Sequence, residues 1–146
     1  MWRVTSKAGR DLIEEFEGRR NKAYRDVGGI YTCGIGCTGP DINADTVWTD
    51  AEVEAHFSAA LRRFEIGVNR LVTVALNQQQ FDAVCSLGYN IGLNALRSST
   101  LVRKLNAGDH IGAANEFLRW DKVNGKTVGG LSRRRRAEMA LFVQRD

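Results

Sequence analysis

Three polar residues near the N-terminus are of types that could together hydrolyse a glycosidic bond: Glu17, Asp26 and Thr32. Glycoside hydrolysis requires a protonated acid for the leaving oxygen and a second group that supplies or orients the nucleophile. Glu17 falls at the end of an apolar helix face, where apolar neighbours can keep a carboxyl protonated. Asp26 lies among polar and glycine residues, so it could activate a water molecule that the Thr32 hydroxyl holds.

The same residues also have an ordinary structural interpretation. A glutamate near a helix C-terminus and an aspartate before a turn are common on protein surfaces. Spacing alone favours that interpretation, so residue types and periodicity leave both possibilities open.

Periodicity predicts the elements that must position these residues. A first helix is predicted from about Ser6 to Glu17, and Gly18 stands where a glycine cap ends a helix. From Ala23 to Gly36 the side chains alternate, and a Val-Gly-Gly turn at 27–29 predicts a small β-hairpin.

Helices are predicted for most of the remaining chain. A capping box at Thr49–Glu52 opens the longest one, and Asn77 with Gln80 opens a second that ends at Gly92. Further helices are predicted over residues 101–106, 111–120 and from about 131 onward.

These elements predict an α+β, mainly helical, two-lobed fold in one domain of 146 residues. The predicted parts are a small hairpin lobe at about 18–48, a linking helix at about 50–71 and a helical lobe at about 72–146. The N-terminal helix is expected to pack with the helical lobe, which leaves a cleft between the lobes.

Composition excludes several classes of protein. With 43% hydrophobic and 26% charged residues, the chain is not intrinsically disordered, and no window approaches the roughly 18 apolar residues of a membrane span. The N-terminus has no apolar run, so we expect neither a signal peptide nor a signal anchor. We therefore expect the protein to be made and to fold in a cytoplasm. A net charge of +4 favours attraction to polyanions such as nucleic acid, anionic lipid or wall polymers.

The three cysteines, Cys33, Cys37 and Cys85, do not form a framework of disulfides or zinc ligands. Their number is odd, and neither His56 nor His110 has ligand-like spacing to them. Cys33 and Cys37 are predicted on the same face of one continuous strand, too far apart for a disulfide. We therefore expect ordinary reduced cysteines and no metal.

Four segments together resemble one known family. The stretch EGRRNKAYRDVGGIYTCGIGCTG at 17–39 resembles the signature of the phage-type lysozymes, glycoside hydrolase family 24. In that family a Glu, eight residues, an Asp, five residues and a Thr form the catalytic triad, and Glu17, Asp26 and Thr32 reproduce this spacing. The resemblance continues in the family's order through LNQQQFDAVCSLGYNIG, STLVRKLN and GGLSRRRRAEMALF.

The resemblance implies a muramidase that hydrolyses the β-1,4 bond from N-acetylmuramic acid to N-acetylglucosamine in peptidoglycan. Glu17 would be the general acid, and Asp26 and Thr32 would position and activate water, with inversion at the anomeric carbon. Inversion requires about 6.5–9.5 Å between the two carboxyls. No metal or organic cofactor is implied. The implied role is that of a monomeric phage or prophage endolysin, which accumulates in the host cytoplasm and reaches the wall through a holin.

Four further residues are carried over as contacts to the sugar chain: Gly36, Thr38, Tyr89 and Asn90. Membership of the helix core is an equally good interpretation of Tyr89. One position departs from the family, which usually has a histidine where this chain has Cys37. We expect that change to affect local stability more than activity.

The run Arg133–Arg136 cannot place all its side chains on one helix face. One guanidinium is predicted to turn inward and pair with Glu17 or another cleft carboxylate, and the others are predicted to be solvated. Glu138 lies within one helical turn of Arg134 and Arg135 and is expected to pair with them.

Two other classes of function remain as alternatives. A basic nucleic-acid-binding protein would show clustered basic residues with a groove-reading or stacking motif. The sequence contains no such motif, so we expect no specific nucleic-acid partner. A wall-binding module without catalysis would not need Glu17, Asp26 and Thr32 together.

Overall fold

The structure is a computed structural model that describes residues 2–145. Seven α-helices occupy most of the described residues: α1 (Lys7–Glu17), α2 (Asp50–Leu71), α3 (Gln78–Ile91), α4 (Leu93–Arg97), α5 (Thr100–Asn106), α6 (His110–Glu116) and α7 (Gly129–Val143). Two antiparallel hairpins complete them: β1 (Arg20–Arg25) with β2 (Tyr31–Gly34), and β3 (Lys122–Val123) with β4 (Lys126–Thr127). The predicted mainly helical α+β class is confirmed.

The first helix is fixed at both ends. Ser6 caps its N-terminus, and the backbone N–H of Ser6 donates to Asp82 of α3 at 3.0 Å. Gly18 ends the helix at a φ of 79°, and its N–H donates to the Glu14 carbonyl. A positive φ favours glycine, so the chain turns directly after Glu17 and leaves that side chain at the helix end.

The first hairpin follows immediately. Its register pairs Tyr24 with Thr32 and Arg25 with Tyr31, and an irregularity separates these pairs from the start of β1. Because α1 ends at Glu17 and β1 begins three residues later, the hairpin starts beside the end of the helix.

The chain turns back after β2 instead of continuing as one strand. Gly34 and Gly36, with φ of 66° and 65°, make a tight turn, and Cys37 pairs with Cys33 through two backbone hydrogen bonds of 2.9 and 3.0 Å. The predicted continuous strand is wrong here, and so is the distance argument against a disulfide. Residues opposite in such a pair have Cα atoms about 5.5 Å apart, within disulfide range. Both thiols are free in this structure.

The 22-residue helix α2 joins two hydrophobic clusters. Its capping box at Thr49 and Glu52 forms as predicted. Its first half packs with α1 and the hairpin in a cluster of Ile13, Cys33, Ile35, Trp48, Val53, Phe57 and Leu61. Its second half contributes Val68 to the larger cluster of the helical lobe, which lies around α3 and α7.

Local differences from the predicted helices occur at chain reversals. Helix α4 was not predicted. Gly92 ends α3 and also caps the start of α4, and a glycine in the sequence signals only the first of these. Helix α6 ends at Glu116 and continues as a 3₁₀ turn through Arg119, and α7 begins at Gly129. Within residues 2–145, none of the helices is both long and apolar enough to cross a membrane.

Candidate active site

The Glu17 carboxylate is held by an arginine from the opposite end of the chain. Nη1 of Arg134, on α7, donates to Glu17 Oε2 at 2.6 Å. The Arg134 side chain is buried, whereas the Glu17 side chain remains 18% exposed. The predicted pairing of one arginine of the run 133–136 with Glu17 is confirmed, so apolar groups alone do not surround the carboxylate.

The turn after β2 lies against the same carboxylate. A Cβ atom added to Gly36 would overlap the Glu17 carboxyl group, so that carboxyl would have to move to make room for a side chain. The positive φ of Gly36 also favours glycine at this position. The hairpin backbone and the end of α1 thus meet at Glu17.

Asp26 lies at the end of β1 and closes the turn to β2. Its Oδ1 accepts the backbone N–H groups of Gly28 and Ile30, each at 2.9 Å. Its Oδ2 has no hydrogen-bond donor among the described residues. One oxygen therefore holds the turn, and the other is free to accept a proton.

Thr32 is buried on β2, and its hydroxyl donates to the Ile30 carbonyl at 3.1 Å. With its proton engaged, Oγ1 is an acceptor for any further partner. Thr32 is paired with Tyr24 across the hairpin, so their side chains lie on the same face. Side chains alternate along a strand, and Asp26 is two residues after Tyr24, so Asp26 is expected on that face too. Diagonal neighbours on one face are about 7–8 Å apart, which leaves room for a water molecule.

Two cavities adjoin Glu17 and Gly36. Gly36, Thr38 and Tyr89 line one of about 400 Å³ together with the stacked rings of Trp48 and His56.

The other cavity, of about 530 Å³, contains Glu17 itself, with Asn90 and Arg134 in its wall. The structure thus brings three of the four predicted sugar contacts, Gly36, Thr38 and Tyr89, to one cavity, and places Asn90 in the other.

Tyr89 packs in the core and also lines the cavity of Gly36. Its ring lies 5.8 Å from Phe57 and 5.2 Å from Phe64, between centroids, and its hydroxyl donates to the Ile35 carbonyl at 2.6 Å. Burial raises the pKa of Tyr89 well above its ordinary value. Tyr89 therefore ties α3 to the turn that carries Gly36 while one side of it faces the cavity.

Two arginines of the run turn inward, where one was predicted. Arg134 and Arg135 are buried, and Arg133 and Arg136 are exposed. The predicted pairing of Glu138 with its neighbours is confirmed, at 3.1 Å from Arg134 and 3.3 Å from Arg135. The burial of Arg134, Arg135 and Glu138 together was not predicted, because a run of charged residues usually indicates a solvated helix face.

Burial also controls the protonation of groups near Glu17. It raises the pKa of the Cys37 thiol, whose Sγ lies 3.9 Å from the Tyr89 hydroxyl, so the thiol stays protonated at neutral pH. Among the described residues, no group of three or more His, Cys, Asp or Glu side chains could hold a metal ion.

The chain is similar to known proteins over most of its length. The family model described as Phage lysozyme matches residues 14–138. An endolysin of Bacillus phage B103 is 45% identical over 140 residues, which cover 94% of this chain and 53% of that protein. An endolysin of Acyrthosiphon pisum secondary endosymbiont phage 1 is 43% identical over 141 residues, covering 94% and 96%.

The fold agrees with a solved structure as well. The muramidase domain of SpmX from Asticaccaulis excentricus superposes with a TM-score of 0.89 at 33% identity, covering 98% of this chain and 100% of that one. The chain spans about half the length of the Bacillus phage relative and nearly the whole of the other two proteins.

Proposed function

The chain belongs to the phage lysozyme family, and from that membership we propose that it is an endolysin, a glycoside hydrolase of bacterial peptidoglycan. The bond cleaved is the β-1,4 bond between N-acetylmuramic acid and N-acetylglucosamine. The observation that carries the proposal is the meeting of Glu17 with the glycine turn of the hairpin that also bears Asp26 and Thr32.

Glu17 is the general acid in this proposal. Its carboxyl gives a proton to the glycosidic oxygen as the bond between that oxygen and the anomeric carbon breaks. Arg134 holds Oε2, so the carboxyl plane is fixed before the substrate arrives. As Glu17 loses its proton, the guanidinium stabilises the carboxylate that forms.

Asp26 and Thr32 orient the water. Because the Thr32 proton is donated to Ile30, Oγ1 accepts one hydrogen of the water, and Asp26 Oδ2 accepts the other. A lone pair of the water oxygen is then free to attack the anomeric carbon on the face opposite the leaving group. Asp26 gains one proton, Glu17 loses one, and the configuration at the anomeric carbon inverts.

The sugar chain is proposed to lie across both cavities. Gly36 and Thr38 supply backbone and hydroxyl groups to sugars on one side, and Tyr89 offers an aromatic surface there. Asn90 presents an amide on the other side. We propose further that the protein acts as a monomer, stays in the host cytoplasm until a holin releases it, and requires no cofactor.

Clearing of purified Gram-negative peptidoglycan tests the function. We expect the wild-type protein to clear it and Glu17→Gln to fail, because the amide cannot deliver a proton. The control is Asp11→Asn, an exposed carboxylate on the same helix whose ion pair within residues 2–145 is with Lys7, and it should clear normally.

Mass spectrometry and proton NMR of the first products separate the alternatives. Reducing-end muramic acid released as the α-anomer supports an inverting muramidase. Anhydro-muramic products would make the protein a lytic transglycosylase, and retained wall binding without clearing by the wild type would make it a binding module.

A further inference from the structure

Glu138 on α7 is a fully buried carboxylate placed between two guanidiniums. Its Oε2 accepts from Arg134 Nε at 3.1 Å and from the Ser86 hydroxyl, and its Oε1 lies 3.3 Å from Arg135 Nη1. Oε2 is thus hydrogen-bonded, and Oε1 is paired with Arg135 by charge but has no hydrogen-bond donor among the described residues.

The two guanidiniums reach two residues that line the same cavity. Arg134 reaches Glu17 with Nη1 and the Ser86 carbonyl with Nη2, at 2.6 and 2.9 Å. Arg135 donates to the side-chain oxygen of Asn90. One buried carboxylate therefore connects to the group proposed as the acid and to the amide proposed to contact sugar.

Stability does not explain this arrangement. Removing several charges from water carries a desolvation penalty that often exceeds their mutual attraction, and well-packed apolar residues of similar volume are frequently as stable. Arg135 illustrates the penalty, since its Nε has no hydrogen-bond partner among the described residues. What distinguishes these buried charges from other ion pairs is their contact with Glu17 through Arg134.

A catalytic acid beside a guanidinium meets a conflict. A positive charge in contact with a carboxyl favours the ionised form, whereas the reaction needs the proton in place when substrate binds. A negative charge on the far side of the same guanidinium opposes that effect, and Glu138 occupies this position.

We propose that Glu138 is a positioning residue that holds Arg134 against Glu17 and offsets the charge of Arg134 beside the carboxyl proposed as the general acid. The inference rests on the proposed function. It assigns a role to a residue that never touches the sugar chain.

The groups that face Glu17 support this assignment. Arg134 and Arg135 face it from α7, Tyr89 from α3 and Cys37 from the hairpin turn. Burial raises the pKa of both Tyr89 and Cys37, so neither carries charge at neutral pH. Exposed Arg133 lines the same cavity, where water screens it. The balance at Glu17 is therefore controlled by the buried charges of α7.

Glu138→Gln tests the proposal because it keeps the shape and removes the charge. We expect the high-pH limb of the kcat/KM profile on soluble peptidoglycan fragments to move down by about one pH unit. At pH 7 kcat/KM should fall about ten-fold, because Arg134 also loses a fixed partner.

The matched control is Glu116→Gln. Glu116 is also a buried carboxylate of the helical lobe with two cationic partners, Lys104 at 3.1 Å and Arg119 at 2.9 Å. It has no contact with Glu17, so this variant should lose stability and keep the wild-type pH profile.

Arg135→Gln supplies an opposite shift and a second test if Glu138→Gln fails to fold. When the positive charge of Arg135 is removed, the charge of Glu138 offsets that of Arg134 alone. The high-pH limb of the kcat/KM profile should therefore move to higher pH. A merely structural role predicts lower stability in both variants with no movement of the limb, and that result would overturn the proposal. Failure of the wild type to cleave peptidoglycan would instead overturn the proposed function.

Discussion

The hydrogen bond between Tyr89 and Ile35 allows a quantitative prediction for Tyr89→Phe. The substitution removes the hydroxyl alone, because the ring keeps its contacts with Phe57 and Phe64. The bond is short, at 2.6 Å, and Ile35 is fully buried. Among the described residues, the other side-chain donor to its carbonyl is the weak one, Cys37 Sγ at 3.9 Å, so the variant leaves that carbonyl without an adequate donor.

The expected loss follows from these contacts. A net hydrogen bond contributes about 0.5–1.5 kcal/mol, and a buried group left unpaired costs about 1–3 kcal/mol, so we expect unfolding free energy to fall by about 1.5 kcal/mol. For a chain of this size each kcal/mol corresponds to about 2–4 °C, which gives a decrease in Tm of about 3–6 °C.

Thermal and urea unfolding followed by circular dichroism measure both quantities. The controls are Tyr24→Phe and Tyr31→Phe in the hairpin, whose hydroxyls have no hydrogen-bond partner within residues 2–145. They should unfold within about 0.5 kcal/mol of the wild type. If Tyr89→Phe has the same midpoint as these controls, the hydrogen bond does not tie α3 to the turn.

Three further predictions concern the hairpin. Gly36→Ala should abolish clearing of peptidoglycan, because the added Cβ overlaps the Glu17 carboxyl. The control, Gly125→Ala, is at a similar positive φ with open space around it, so it should lose comparable stability and keep activity. Asp26→Asn should abolish clearing with little change in Tm, because the amide oxygen can still accept the turn N–H groups; a large drop in Tm would show that the turn needs the charge. Cys37 should react with iodoacetamide at pH 7 far more slowly than free cysteine, as judged by mass spectrometry, because its raised pKa keeps the thiol protonated; equal rates would contradict this.

Sequence predicted the features that depend on neighbouring residues. The capping box of α2 and the glycine that ends α1 are local signals, and both form where predicted. The residues Glu17, Asp26 and Thr32 were identified from the family resemblance of residues 17–39, since their types and spacing alone left an ordinary structural interpretation open. Their catalytic roles stay predictions.

What sequence did not predict depends on contacts between distant segments. The alternation through Cys37 is that of a strand, and the two positive φ angles that reverse the chain are properties of the folded backbone. The burial of Arg135 likewise requires Glu138 and Asn90 to be assembled around it. Four consecutive arginines otherwise indicate a hydrated surface.

The separation of the two cavities around Glu17 bears on how long a substrate must be. One cavity begins at Gly36 and extends toward Trp48, and the other runs from Glu17 toward Arg133. In the proposed binding mode the sugar chain fills both cavities, so a substrate too short to fill both lacks part of the binding free energy. We expect turnover to rise steeply with oligosaccharide length until both cavities are filled, and cleavage to occur at internal bonds and leave short fragments as end products.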